Sequence, residues 1–108
     1  MTKLQKFKSK ADTVTRALIK LNPDRIIIFG SAGRGTPTKN SDIDVCLIKA
    51  GNPLDIKKKA WEALRKDHYD WEIEPDIHVY SPQKFSDYLT RGDPFVFEIS
   101  QGKVIYGQ

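Results

Sequence analysis

Phe29-Gly30-Ser31-Ala32-Gly33-Arg34-Gly35-Thr36-Pro37-Thr38-Lys39-Asn40-Ser41-Asp42-Ile43-Asp44 is the stretch on which the reading of this chain turns. An apolar run, Ile26-Ile27-Ile28-Phe29, stops at its Gly-Ser pair. A second run, Val45-Cys46-Leu47-Ile48, starts directly after its two carboxylates. A strand that ends in a Gly-Ser turn can offer backbone N–H groups and a hydroxyl to a phosphate. Side chains of a strand alternate with period two, so Asp42 and Asp44 share one face. Two like charges so close repel unless a cation neutralises them, and hard oxygen ligands suit Mg²⁺. The stretch reads as a metal–nucleotide site held between two strands.

Before the stretch, apolar residues at Leu4, Phe7, Ala11, Val14, Leu18 and Leu21 step by three and four, which predicts one amphipathic helix over 3–21. Asn22-Pro23-Asp24 ends it, because proline disfavours helical geometry in the residue before it. Residues 25–29 are β-branched and aromatic with no polar alternation, as in a strand covered on both faces. Gly30 to Gly35 predicts a tight turn and about one helical turn, with N–H groups free to face a ligand.

Beyond the stretch, the strand over 42–49 puts Asp42, Asp44, Cys46 and Ile48 on one face and Ile43, Val45 and Leu47 on the other. Asn52-Pro53 is a cap-plus-proline helix start, and Ile56, Ala60, Trp61 and Leu64 form the buried stripe of a helix to about Lys66. His68 to Glu72 is a connector or the beginning of the next strand, and 76–80 alternates polar and apolar as a third strand. Ser81-Pro82 opens a short helix closed by Gly92, and Asp93-Pro94 a last helix to about Gln101. Gly102 is its expected stop, and 103–106 a closing strand. The order predicts an α/β sandwich with helices covering a small sheet, in one domain over 1–108.

Composition narrows the class. Charged residues make up 30% and hydrophobic ones 39% of 108 residues, which suits a water-soluble chain. No segment approaches the roughly 18 apolar residues of a membrane span. The N-terminus leads into an amphipathic pattern, not a signal-peptide core, and the single Cys46 suits a core position in a reducing cytoplasm. The basic clusters Lys3, Lys6, Lys8, Lys10 and Lys57, Lys58, Lys59 read as solvated helix faces. No basic motif interleaved with aromatics points to direct nucleic-acid binding.

Gly30-Ser31, ten residues, then Asp42-Ile43-Asp44 resembles the signature of the polymerase-β-like nucleotidyltransferase superfamily. The short chain, Arg34-Gly35 in the loop and Ser41 before the first Asp look most like its minimal nucleotidyltransferases. The resemblance implies a polymerase-β-like fold and a third carboxylate from a later strand. Asp76 is the best candidate, ahead of Glu74 and Glu72. It implies that Asp42, Asp44 and Asp76 hold Mg²⁺, with two ions clamping an in-line displacement on the ATP α-phosphate. Asp76 would also help deprotonate the attacking hydroxyl. Gly30 and Ser31 would hold the β- and γ-phosphates. Arg34 either pairs with a phosphate or is a solvated loop residue; Ser41 either contacts the nucleotide or caps the turn before Asp42. His78, on the parity of Asp76, reads as a hydrogen-bonded core or edge histidine. Trp61, Trp71 and the aromatics of Asp93-Pro94-Phe95-Val96-Phe97 read first as packing.

Larger relatives carry a further acceptor-binding domain that has no counterpart in this stretch of sequence. The resemblance therefore implies a partner, typically a HEPN-domain toxin, with the chain as antitoxin moving AMP from ATP to a tyrosine of it. A small-molecule nucleotidyltransferase of the aminoglycoside-modifying kind, its pocket built by a homo-oligomer, is one alternative. A non-catalytic antitoxin that masks its partner is the other.

Overall fold

Three helices of this protein begin with the same device. The computed structural model describes residues 3–30 and 43–107. In it, Asn52 Oδ1 accepts from the N–H groups of Leu54 and Asp55 at 3.0 and 3.2 Å, Ser81 Oγ from Lys84 at 3.1 Å, and Asp93 Oδ1 from Val96 at 2.9 Å. Each cap satisfies N–H groups that a first turn leaves open, worth about 1 kcal/mol apiece, and a proline follows each at a position that needs no donor.

The described elements are helix α1 (Lys3–Ile19), strands β1 (Arg25–Phe29) and β2 (Ile43–Ile48), helix α2 (Pro53–Lys66), strand β3 (Pro75–Tyr80), helices α3 (Pro82–Thr90) and α4 (Pro94–Ser100), and strand β4 (Lys103–Gly107). The first helix stops two residues short of Leu21, and Asn22 leaves the helical path at a positive φ of 56°, which asparagine tolerates. The short helical turn expected after Gly30 lies outside the described residues, as does the side chain of Leu4.

The strands form one sheet in the order β3-β2-β1-β4. β1 runs antiparallel to β2 and to β4, whereas β2 and β3 are parallel, joined through α2. Helices cover both faces, giving the α/β sandwich that the element order predicts. Ile26, Ile28, Ile43, Val45, Leu47 and Ile77 pack with Phe7, Val14, Ala17 and Leu18 of α1 and Ile56, Ala60 and Leu64 of α2. Ile27, Phe29, Cys46 and Ile48 face the other way, against Phe85 of α3 and Val96 and Ile99 of α4. The unbroken apolar runs of β1 and β2 are thus two interleaved faces of a sheet buried on both sides.

The connector from α2 to β3 is tied down by charge. Lys6 pairs with Glu72, Lys10 with Asp70, and Lys20 with Asp67 at 2.5 Å. Lys10 holds the Asp70 carboxyl below its ordinary pKa. Lys6 and Lys10 of α1, with Lys20 just beyond its end, therefore clamp this connector, where the sequence suggested only a solvated face for Lys6 and Lys10. Trp71, in the left-handed region at φ 61°, stacks on Trp61 at 5.3 Å, so this tryptophan pair is packing, as the sequence suggested. Gly102 does not act as a left-handed helix stop. A Cβ there would lie 2.5 Å from the Ile28 carbonyl oxygen, so glycine lets the chain pass β1 closely.

Cys46 is fully buried, and burial pushes its thiol up to about 12 against a smaller opposing pull from Arg25. The nucleophilic thiolate is therefore scarce at neutral pH. At pH 8 a disulfide reagent such as dithionitrobenzoate should modify native protein only as fast as it unfolds, and stoichiometrically in denaturant. Rapid reaction of native protein would contradict this packing.

Candidate active site

The two apolar faces give out at one corner of the sheet, where β1 ends and the parallel pair β2 and β3 begins. There the register aligns Phe29 with Asp44 and Asp44 with Asp76 in a row across three strands. The next row inward is Ile27, Cys46 and His78. Because neighbouring strands are about 5 Å apart, aligned residues of like parity must put their side chains side by side. The candidate third carboxylate thus meets Asp44 through backbone pairing, not through a flexible loop.

The candidates Glu74 and Glu72 separate from Asp76 on this geometry. Glu74 precedes β3, and its carbonyl accepts from Ile43 N–H at 3.1 Å; Glu72 pairs with Lys6 in the connector. Ser31, Arg34, Ser41 and Asp42 lie outside the described residues. Of the candidate site residues, the structure brings together Gly30, Asp44 and Asp76.

Gly30 follows Phe29 directly and turns the chain at φ +70°, in the left-handed region. A Cβ built on it would sit 2.6 Å from Asp44 Oδ2. Glycine is needed twice here, for the turn and for the carboxylate that lies against it.

His78 is the hydrogen-bonded edge histidine that the sequence suggested, but its partner was not foreseen. Its Nε2 lies 3.2 Å from Asp76 Oδ2, and its ring is flanked by Phe29 at 5.6 Å and Phe95 of α4 at 5.1 Å between centroids. The parity of positions 76 and 78 was the available signal; the side chain turning back along the strand was not visible. Phe95 also meets Phe29 edge-on at 5.7 Å and so packs while partly exposed, whereas Phe97 is 56% exposed and is not the packing residue expected. Helix α4 buries Val96 and Ile99 instead.

The donors suit a divalent cation. Asp44, Asp76 and His78 each offer a ligand atom, and these atoms all lie within 4.8 Å of one another. Octahedral ligands at about 2.1 Å from a metal stand roughly 3 to 4 Å apart, so small side-chain rotations would close the cluster on an ion. The Asp76 side chain is 53% exposed, which keeps its charge solvated and reachable.

A family model described as a nucleotidyltransferase domain matches residues 8–106. Among solved structures, the chain is similar to one from a crystal structure of a toxin-antitoxin with AMP-PNP. The TM-score is 0.55 at 25% sequence identity, over 90% of this chain and 73% of that one. No curated protein sequence is significantly similar.

Gly30→Ala should destabilise the protein by about 1 kcal/mol or more through its positive φ. It should also push the Asp44 carboxylate out of the row. Chemical denaturation reads the first effect. An Asp44 side-chain NMR resonance that stays unshifted in the variant would contradict the second.

Proposed function

The chain belongs to the nucleotidyltransferase domain family, and from that premise we propose that it is an antitoxin that moves AMP from ATP to a hydroxyl of a partner toxin. Its mixed four-stranded sheet with helices on both faces is the polymerase-β-like nucleotidyltransferase architecture. The observation that carries the reading is the Asp44–Asp76 row beside the Gly30 turn. A protein that only masked its partner would have no physical need for two carboxylates aligned this way. The structural likeness to a toxin-antitoxin protein with a bound ATP analogue supports the antitoxin role and the nucleotide. In this proposal the partner is a HEPN-domain toxin, the acceptor a tyrosine and the compartment the cytoplasm. The partner and the acceptor rest on the resemblance of the Gly-Ser and Asp-x-Asp motif to minimal nucleotidyltransferases, the compartment on the single core cysteine.

In this reading Asp44 and Asp76, together with Asp42, would hold Mg²⁺, which would supply charge neutralisation at the transferring phosphoryl group and ease loss of the acceptor proton. The chain's own groups do the rest. Gly30 and Ser31 present N–H and hydroxyl donors to the β- and γ-phosphates, with Arg34 and Ser41 as further contacts. Asp76, exposed at the start of its edge strand, accepts the proton of the incoming hydroxyl. The acceptor oxygen forms a bond to the α-phosphorus, the bond from that phosphorus to the bridging oxygen breaks, and pyrophosphate leaves.

Incubation with Mg²⁺, host lysate and ATP labelled at the α-phosphate should leave stable label on one small protein; label at the γ-phosphate should leave none. Asp44→Asn and Asp76→Asn should each reduce transfer on the order of 10²-fold or more while retaining the fold. Absence of protein label, with Mg–ATP binding demonstrated and the acceptor present, would overturn protein modification and point to a small-molecule acceptor or to masking.

A further inference from the structure

Histidine 78 is the one imidazole at the candidate active site, and an oxygen-only Mg²⁺ site has no use for it. Its Nε2 faces the Asp76 carboxylate at 3.2 Å, and it belongs to the same cluster of ligand atoms as Asp44. The ring is not adrift at the edge. Phe29 meets it tilted at 56° and Phe95 edge-on at 65°, so aromatic contacts on two sides restrict the ring, whose Nε2 lies on the carboxylate side. At 28% exposure the side chain is sheltered yet open toward the corner that Asp76 occupies.

We propose that His78 is a metal ligand beside Asp44 and Asp76, and that the resulting two-carboxylate, one-imidazole set takes Mn²⁺ in preference to Mg²⁺. This rests on reading Asp44 and Asp76 as metal-holding carboxylates. Mg²⁺ favours oxygen donors in near-ideal octahedra and gives up its waters reluctantly. A nitrogen donor raises affinity for first-row transition ions along the Irving–Williams order, while two carboxylates keep the site hard enough for Mn²⁺. The Asp76–His78 contact holds both donors on one side of the strand, and both turn onto the ion when it binds. Phe95 acquires a role here as well: an aromatic on the exposed side of α4 buttresses the imidazole.

The test uses full-length protein with Mn²⁺ alone as the probe. Pulsed electron paramagnetic resonance of protein carrying ¹⁵N-labelled histidine should show a directly bound nitrogen, lost in His78→Gln. The same variant should weaken Mn²⁺ binding about tenfold and leave Mg²⁺ affinity unchanged, measured by calorimetry. Bound Mn²⁺ without a histidine nitrogen in the unmutated protein overturns the proposal, whether or not the variant folds. Asp44→Asn and Asp76→Asn separate it from the reading beneath it. If they abolish Mn²⁺ binding while no nitrogen is seen, only the role of His78 fails. If they leave binding intact, or if unmutated protein binds neither ion, the carboxylate reading fails too.

Discussion

The parallel pairing of β2 with β3 is the constraint on which the functional corner depends. It sets Asp44 opposite Asp76 and Cys46 opposite His78, so two carboxylates that lie 32 positions apart in sequence become neighbours. A shift by one residue would turn Asp76 to the other face and expose Ile77, which is fully buried among residues of α1 and α2. Burial of Ile43, Val45, Leu47 and Ile77 on one side therefore fixes the placement of charge on the other. The hydrophobic effect positions the site, although no apolar residue need touch the reacting groups.

Holding like charges together has a cost, and the surrounding structure makes it bearable. The carboxylates lie where the sheet ends, with Asp76 half exposed, so neither charge is forced into the low-dielectric interior. Gly30 keeps the backbone clear of Asp44. The ion pairs of Lys6, Lys10 and Lys20 with the connector ahead of β3 lie at the surface and are individually weak. Together they fix the approach to the strand that carries Asp76.

Much of this was legible from local chemistry. Asn52-Pro53, Ser81-Pro82 and Asp93-Pro94 marked three helix starts because cap and proline act within three residues. Period two assigned Asp44, Cys46 and Ile48 to one face and Ile43, Val45 and Leu47 to the other, as the two cores show. What could not be read depended on contacts between distant residues. The pairing of Lys6 and Lys10 with Glu72 and Asp70, the approach of Gly102 to Ile28, and the return of His78 onto Asp76 all require the sheet to exist first. Phe97 misled for the same reason: a short amphipathic helix does not reveal which of its apolar residues the sheet will cover.

The claim that the β2–β3 register builds a cation site is tested most directly by anomalous diffraction from crystals grown with Mn²⁺ and a non-hydrolysable ATP analogue. The account predicts a manganese peak within bonding distance of carboxylate oxygens from both Asp44 and Asp76. Bound nucleotide with both carboxylates ordered and no manganese between them would contradict it.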